Sequence, residues 1–470
     1  MKVEQLYTGC LAEAAYYIES DGEAAIIDPL RETEPYLELL RRDDAQLKYV
    51  FETHFHADFV SGHLDLAKKT GATIVLGPTA QPAYPAHIAS DGEEFPIGKI
   101  TIVAIHTPGH TLESTTYLLK DASGKPVAIF TGDTLFIGDV GRPDLAVKSN
   151  LTKEDLAGML YDSLHRKILP LPDDIIIYPG HGKGSACGKN MSDQTYDTLG
   201  HQKQVNYALQ ARSKEEFIKE VLEGLMPPPQ YFPKNAVLNK MGPKKSIDEV
   251  LAQGAVGLTP DAFEQRIQKE GAIVIDARSP HDFAQGHIPG AINIGLDGEF
   301  APWVGTLIPD LNQLIVLVTP IGREKEAVVR LARVGYDNAY GYLEGGMNAW
   351  ENAGKPIESV PAISAAKLAD VYRQHPAHTY ILDVRRPPEY QSEHIKGVTN
   401  YPLDFIQQWQ SELNPNETYY LHCVSGYRSM IAASLLRKAG FRSVINVEGG
   451  FNELRQTGIP LTGQAVPSEG

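Results

Sequence analysis

The chain has 470 residues, which at about 100 to 200 residues per domain indicates two to four domains. Apolar residues make up 42% and charged residues 22%, a composition that excludes disordered and collagen-like chains. The formal net charge is −16 without a basic cluster, so nucleic acid and anionic lipid are not expected partners. No apolar run reaches the ~18 residues of a membrane span, and Glu4 comes too early for a signal peptide. With only three cysteines, too few for a disulfide framework, we expect a cytoplasmic globular protein.

Ligand-type side chains follow apolar strands throughout the first 225 residues, which we predict to be one domain. His54, His56 and Asp58 stand in residues 53–58 (T-H-F-H-A-D), directly after an apolar run. His110, Asp133 and His181 each occupy a similar place further along the chain. Any one of these positions is also typical of an ordinary turn. Because imidazoles and carboxylates are the ligands of zinc and iron, the whole set predicts a metal site.

These four motifs resemble those of the metallo-β-lactamase superfamily, whose fold is an αββα sandwich with metals at one edge. The dinuclear hydrolases of that superfamily carry H-x-H-x-D-H in the first motif. Here the sixth position is Phe59, whose ring cannot bind a metal. We therefore expect a mononuclear centre.

Within the superfamily, residues 53–62 (T-H-F-H-A-D-F-V-S-G) resemble the persulfide dioxygenases, and segments 138–144, 184–189 and 227–238 match further motifs of that group. The resemblance implies one iron(II) per chain, held by two histidines and one aspartate, with zinc as a metal that the isolated protein can also carry. Carried over by motif, the ligands are His54, His110 and Asp133. His56, Asp58 and His181 remain as neighbours that orient ligands or bind water.

Three residues near the last metal motifs are predicted to contact substrate. Arg142, nine residues after Asp133, is expected to neutralise an anionic group, with an ordinary ion pair as the alternative. Lys183 and Cys187 follow His181, and Cys187 is either a contact for substrate sulfur or a small buried apolar residue.

A linker is predicted over 226–257. Three prolines at 227–229 and the Gly- and Lys-containing segment 240–245 disfavour both a helix and a central strand.

An internal repeat fills the C-terminal half. Residues 274–278 (V-I-D-A-R) and 286–290 (G-H-I-P-G) recur at the same spacing as 381–385 (I-L-D-V-R) and 393–397 (E-H-I-K-G). We therefore predict two homologous domains, 258–356 and 360–462. Each alternates short apolar runs with helix-like stretches, which predicts a parallel sheet covered by helices.

Cys423 lies between an apolar strand and a helix of the second copy. Backbone N–H groups and the start of the helix can stabilise a thiolate there. The loop, C-x-x-G-x-R, resembles that of rhodanese sulfurtransferases, which implies that Cys423 carries sulfur as a persulfide and that Arg428 stabilises anionic sulfur. The other loop residues are Val424, Ser425, Gly426, Tyr427 and Ser429.

The loop at 319–324 of the first copy is predicted to be one residue shorter, and it has no thiol. We therefore expect this rhodanese-like domain to be catalytically inactive, with a structural or docking role.

Together the motifs predict a multidomain α/β protein, an αββα sandwich followed by two rhodanese-like parallel-sheet domains. The predicted function is oxidation of a low-molecular-weight thiol persulfide to sulfite by dioxygen, coupled to interconversion of persulfide, sulfite and thiosulfate at Cys423. One alternative is a dinuclear zinc thioester hydrolase of the glyoxalase II type fused to a sulfurtransferase. Another is a metal-binding platform that only delivers sulfur partners. The thiol carrier and any homo-oligomeric state stay open.

Overall fold

A computed structural model describes residues 1–146 and 151–462. The chain divides into two compact units, one of Met1–Glu249 with Leu331–Gly335, the other of Val250–Arg330 with the described residues from Tyr336 onward. Among the helices of this described part, none combines the length and apolar character needed to cross a bilayer.

Two six-stranded sheets form the first unit. The first has the order β1-β2-β3-β4-β5-β6 and the second β12-β11-β10-β9-β8-β7. The strands are β1 (Lys2–Thr8), β2 (Glu13–Ser20), β3 (Glu23–Ile27), β4 (Gln46–Phe51), β5 (Thr73–Leu76), β6 (His87–Ile88), β7 (Glu94–Ile97), β8 (Ile100–His106), β9 (Thr115–Lys120), β10 (Pro126–Gly132), β11 (Ile176–Pro179) and β12 (Asp197–Thr198). Parallel pairing occurs in β3-β4-β5-β6 and in β10-β11, so the carboxyl ends of β4 and β10 can both carry site residues.

Helices cover the outer faces of both sheets. They are α1 (Glu34–Arg42), α2 (His63–Thr70), α3 (Lys153–Ser163) with the π-helical turn Leu164–Ile168, α4 (Leu199–Val205), α5 (Tyr207–Gln210) and α6 (Lys214–Leu222). A further helix, α7 (Phe232–Met241), follows them in the chain. Alternation along β2 shows how the layers form: Tyr16 and Ile18 pack between the sheets, whereas Tyr17 packs with Tyr36 of α1. The predicted αββα sandwich is confirmed.

The interval predicted as a linker contains two helices, α7 and α8 (Ile247–Gly254). Pro233 stands in the first turn of α7, where a missing N–H costs nothing. The Asn239 side chain donates to the carbonyl oxygens of His56 and Phe59, both at 2.7 Å. Helix α7 therefore packs against residues 56–59 of the metal motif. The sequence pattern does not reveal this contact, because the contact depends on hydrogen bonds from a buried amide group.

The second unit holds two parallel sheets, ordered β13-β17-β16-β14-β15 and β18-β22-β21-β19, and a small antiparallel pair, β20-β23. The strands are β13 (Gly257–Leu258), β14 (Ile273–Asp276), β15 (Ile292–Asn293), β16 (Ile315–Val318), β17 (Ala339–Leu343), β18 (Ala362–Ser364), β19 (Tyr380–Asp383), β20 (His394–Ile395), β21 (Thr418–His422), β22 (Ser443–Glu448) and β23 (Leu461–Thr462). The predicted pair of parallel-sheet domains is confirmed.

Helices of the second unit are α9 (Pro260–Glu270), α10 (Pro280–Gln285), α11 (Phe300–Leu307), α12 (Glu324–Arg333), α13 (Gly346–Asn352), α14 (Ala365–Gln374), α15 (Pro387–Ser392), α16 (Ile406–Trp409), α17 (Tyr427–Lys438) and α18 (Gly450–Leu454). The last three residues of α12, 331–333, group with the first unit. Strands β16 and β21 each lie inside their sheet, so the loop that follows each of them opens at the centre of a sheet edge. This is the usual place for chemistry in parallel α/β folds.

Candidate metal centre and thiol loop

His54, His110 and Asp133 converge at one edge of the sandwich. His54 follows β4, His110 follows β8 and Asp133 follows β10. The Nε2 atom of His110 lies 3.4 Å from Asp133 Oδ2, and the Nε2 atom of His54 lies 4.0 Å from the same oxygen. Such separations suit donor atoms that each lie about 2 Å from one metal ion. The structure therefore brings together the three predicted ligands.

The chemistry of these donors fits a cation. Asp133 Oδ2 is buried and has no hydrogen-bond partner, a state that is costly unless a metal ion or a proton satisfies it. Burial disfavours the Asp133 carboxylate, but His181 and His110 outweigh it and lower its pKa. Burial and the neighbouring His56 hold the pKa of His54 well below its usual range. Asp133 is therefore an anion and His54 a neutral imidazole, the forms that bind metals.

A hydrogen-bond relay orients His54. The Thr53 hydroxyl donates to Asp28 Oδ2 at 2.7 Å and lies 3.0 Å from His54 Nδ1. With its proton committed to Asp28, the hydroxyl oxygen accepts from Nδ1–H, which leaves the lone pair on Nε2. Thr53 and Asp28 thus fix the ring and tautomer of a ligand.

A backbone carbonyl does the same for His110, whose Nδ1 lies 2.9 Å from the carbonyl oxygen of Arg142. The chain reaches this position through Gly141. A Cβ atom at Gly141 would lie 2.0 Å from the Asp133 carbonyl oxygen and 3.0 Å from His110 Nδ1, so only glycine allows this close approach.

His181 bridges two carboxylates. Its Nδ1 lies 2.8 Å from Asp133 Oδ1 and its Nε2 lies 2.7 Å from Asp58 Oδ2. Burial disfavours the imidazolium, yet these two carboxylates outweigh it and raise the pKa of His181 well above its usual value. Since both ring nitrogens donate protons, His181 serves as a hydrogen-bonding neighbour of Asp133 in this arrangement.

His56 is turned towards other carboxylates. Its Nε2 lies 3.0 Å from Asp28 Oδ1 and 3.5 Å from Glu52 Oε2, and its ring stacks on the fully buried Phe59 at 4.3 Å. Burial opposes its protonation, but Asp28 outweighs that effect and raises the pKa of His56 to about 9. His56 is therefore engaged with Asp28 and Glu52, a second group of donor atoms close enough together to hold a metal ion.

The three residues predicted to contact substrate have different surroundings in the structure. Cys187 is buried, and its sulfur lies within 4.8 Å of donor atoms of Asp58 and His181. Burial and the charges of Asp58 and Asp133 raise the pKa of the Cys187 thiol well above its usual value, so it is protonated at neutral pH. The site thus presents an uncharged thiol beside the predicted metal ligands.

Arg142 and Lys183 each form an ion pair with an aspartate. The Arg142 guanidinium is 4% exposed, binds both Asp144 oxygens at 2.7 Å and donates to the Met226 carbonyl oxygen at 2.7 Å. These donors of Arg142 are engaged in the ion pair that the sequence offered as the alternative, and its contact with an anionic substrate stays a prediction. Lys183 pairs with Asp193 at 3.0 Å on the surface, with 63% of its side chain exposed.

Sequence reasoning missed Asp28, Thr53 and Glu52, although Asp28 follows β3 in the way that Asp133 follows β10. It also missed Glu13, which is buried and has two carboxylate oxygens without hydrogen-bond partners. Nothing in the pattern of β2 marks Glu13, because a lone acid at the start of a strand is usually exposed.

Cys423 directly follows β21 and is buried in the second unit. The Gly426 N–H donates to its sulfur at 3.2 Å, and Ser429 Oγ lies 3.7 Å from the sulfur. Ser429 in turn donates to Asn446 Oδ1 at 2.7 Å. These polar groups around one sulfur atom form a cradle for an anionic cysteine.

The rest of the loop is anchored on both sides. The carbonyl oxygens of Cys423 and Val424 accept from the N–H groups of Phe451 at 2.7 Å and Asn452 at 3.1 Å. Ser425 is exposed at the opening of the loop. The loop therefore holds Cys423 firmly and leaves access at Ser425.

Arg428 makes a two-point ion pair with Glu389, at 2.6 and 2.7 Å. Burial disfavours the Glu389 carboxylate, but the hydrogen bonds and charge of Arg428 outweigh it and lower its pKa. The Arg428 charge is thus fixed beside the loop, with its two terminal nitrogens engaged by Glu389.

In the preceding domain, Thr319 occupies the position of Cys423. Five residues (319–323) separate β16 from α12, whereas four (423–426) separate β21 from α17. The expectation of a shorter loop is wrong, because α12 begins two residues after its loop glycine, Gly322, and α17 begins directly after Gly426.

Comparisons with known proteins agree with this architecture. The metallo-beta-lactamase superfamily model matches residues 8–181, and the rhodanese-like domain model matches 259–353 and 364–457. Human persulfide dioxygenase ETHE1, mitochondrial, is 32% identical over 210 residues, covering 44% of this chain and 74% of that protein. Hydroxyacylglutathione hydrolase of Tolumonas auensis is 32% identical over 213 residues, covering 44% and 70%.

The crystal structure of a metallo-beta-lactamase from Staphylococcus aureus subsp. aureus COL extends the likeness beyond the first domain. It covers 73% of this chain and 98% of its own, with 31% identity and a TM-score of 0.62. The chain therefore belongs to the metallo-beta-lactamase superfamily, as a persulfide dioxygenase–rhodanese fusion with one metallo-beta-lactamase domain followed by two rhodanese-like domains.

Proposed function

We propose that the first domain is an iron(II) persulfide dioxygenase acting on a low-molecular-weight thiol persulfide. The observation that carries this proposal is the convergence of His54, His110 and Asp133 on one point, with Asp133 Oδ2 left without a donor. Two histidines and one carboxylate with open positions form the ligand set of non-haem iron oxygenases. Phe59 supports a single metal ion.

The reaction converts a persulfide RSSH, dioxygen and water into the thiol RSH, sulfite and two protons. Bound iron would supply Lewis acidity and activation of dioxygen. Asp58 Oδ1 is buried without a hydrogen-bond partner, so it is available to accept the S–H proton of the persulfide. The protonated His181, held between Asp58 and Asp133, can return a proton to the thiol that leaves.

Cys423 would transfer sulfane sulfur. Its thiolate attacks the outer sulfur of a donor such as thiosulfate, sulfite leaves with the bonding electron pair, and a cysteine persulfide remains. Attack by sulfite on that persulfide forms thiosulfate and restores the thiolate. The Gly426 N–H and the fixed charge of Arg428 favour the anionic sulfur in both directions.

Dioxygen uptake by anaerobically iron-loaded protein on addition of glutathione persulfide tests the proposal, with sulfite and thiosulfate quantified. We expect His110→Ala to abolish uptake and Cys423→Ser to change only the ratio of sulfite to thiosulfate. No uptake with glutathione persulfide, coenzyme A persulfide or inorganic polysulfide would overturn the dioxygenase assignment.

The similarity to hydroxyacylglutathione hydrolases supports a second candidate, a dinuclear zinc thioester hydrolase fused to a sulfurtransferase. This candidate requires two zinc ions per chain and cleavage of a glutathione thioester. The stacked His56 and Phe59 rings oppose the second zinc, since neither the ring of Phe59 nor a protonated His56 can bind it.

A further inference from the structure

One side chain of the Cys423 loop reaches the neighbouring rhodanese-like domain. Tyr427 is the first residue of α17 and directly follows Gly426, whose N–H contacts the Cys423 sulfur. The Tyr427 hydroxyl donates to the carbonyl oxygen of Gly295 at 2.7 Å. Gly295 belongs to the domain that has no cysteine in its loop.

The backbone of that domain leaves room for the Tyr427 ring. Residues 295–298 form a turn between β15 and α11. A Cβ atom at Gly298 would lie 2.4 Å from the ring carbon that bears the Tyr427 hydroxyl, and one at Gly295 would lie 3.3 Å from the ring. A side chain at Gly298 would therefore displace the ring, because no real Cβ contact is so short.

Two further contacts hold α17 against the same domain. The Asn293 N–H donates to Ser434 Oγ at 3.1 Å, and Lys438 Nζ donates to the Gly290 carbonyl oxygen at 3.1 Å. Tyr427, Ser434 and Lys438 are seven and four residues apart, a spacing that places them on one face of a helix. One face of α17 is thus seated on the domain that lacks the thiol.

We propose that the cysteine-free rhodanese-like domain positions the Cys423 loop for sulfur transfer, with Tyr427 as the positioning residue and residues 295–298 as its seat. The inference rests on the proposed sulfurtransferase function. Tyr427 stands between the two groups that contact the sulfur, Gly426 and Ser429. Fixing Tyr427 therefore fixes the direction of the Gly426 N–H and the start of α17, both of which stabilise anionic sulfur.

The test uses the full chain and the transfer of sulfur from thiosulfate to cyanide, which yields sulfite and thiocyanate. We expect Tyr427→Phe to lower kcat about fivefold and Gly298→Ala about tenfold, the latter corresponding to about 1.4 kcal/mol. The KM for thiosulfate stays within about twofold, since the loop amides act mainly on the charge that develops during transfer. Alkylation of Cys423 by iodoacetamide at fixed pH, resolved from Cys10 and Cys187 by peptide mass spectrometry, slows in parallel.

Tyr372→Phe is the matched control, because the Tyr372 hydroxyl donates to the Lys396 carbonyl oxygen at 2.7 Å within the C-terminal domain, and its variant should transfer sulfur at the wild-type rate. The inference is overturned if Tyr427→Phe and Gly298→Ala also transfer sulfur at the wild-type rate. The inference is also overturned if a lower thermal midpoint alone explains the loss of activity in the two variants, with Cys423 of the folded protein alkylated at the wild-type rate. If Cys423→Ser itself retains full transfer, the proposed sulfurtransferase function fails first.

Discussion

The orientation of His54 by Thr53 leads to a sharp prediction for Thr53→Val. This substitution replaces the hydroxyl by a methyl group of similar size and removes two hydrogen bonds, to Asp28 Oδ2 at 2.7 Å and with His54 Nδ1 at 3.0 Å. Asp28 Oδ1 still accepts a hydrogen bond from the Thr53 N–H at 2.7 Å, so the carboxylate loses only one of its two hydrogen bonds with Thr53. We expect a loss of about 1–3 kcal/mol in the free energy of unfolding.

The effect on metal binding is the more specific readout. Groups that orient a ligand typically account for about 10–100-fold in metal affinity, and His54 loses its only hydrogen-bond partner in the described part of the chain. Anaerobic competition with a chelator should show iron(II) bound about 10–100-fold more weakly by Thr53→Val. Thr53→Ser keeps the hydroxyl and should restore binding.

Thr107→Val is the matched control. The Thr107 hydroxyl is equally buried, but its partners are the hydroxyls of Thr116 at 3.1 Å and Thr134 at 2.9 Å rather than a metal ligand. This variant should lose stability and keep its iron affinity. Iron affinity in Thr53→Val within about twofold of wild type, alongside a normal fold, would refute the ligand-orienting role of Thr53.

Three further predictions concern single side chains. Cys423→Ser should abolish sulfur transfer from thiosulfate to cyanide and leave dioxygen uptake unchanged; residual transfer would contradict the role of Cys423. Lys183→Ala should leave both activities unchanged, because its amine pairs with Asp193 at the surface, and a raised KM for persulfide would show that it does contact substrate. Pairing with Arg428 lowers the pKa of Glu389, so the pair stabilises the fold at pH values above the pKa of about 4.3 in the unfolded chain. This contribution is lost as the pH falls through the lower pKa of the folded state. The difference in thermal midpoint between wild type and Glu389→Gln should therefore be constant above about pH 5 and shrink below about pH 4, and a difference that grows on acidification would contradict this sign.

The sequence was informative where chemistry follows directly from a strand. His54, His110 and Asp133 each stand after an apolar run, and parallel strands bring such ends to one edge of a sheet. The repeat likewise located Cys423 at the end of its strand. In these cases a local pattern decides both the element and the position of the side chain.

Other features depend on contacts between distant parts of the chain. Arg142 donates a hydrogen bond to the Met226 carbonyl oxygen, 84 residues further on. The seat for Tyr427 lies 132 residues earlier, in the turn around Gly295. No periodicity or motif records such pairings, because each depends on how packed elements approach one another.

We propose that the first domain oxidises a persulfide with dioxygen and needs one iron ion to do so. Titration of metal-free protein with iron(II) under anaerobic conditions, followed by the rate of dioxygen uptake with glutathione persulfide, tests it most directly. We predict that the rate rises linearly and saturates at one iron per chain, with one sulfite or thiosulfate formed per dioxygen consumed, and that zinc-loaded protein consumes no dioxygen. Saturation at two metal ions per chain, or zinc-dependent thioester hydrolysis without dioxygen uptake, would rule out a persulfide dioxygenase with one iron ion.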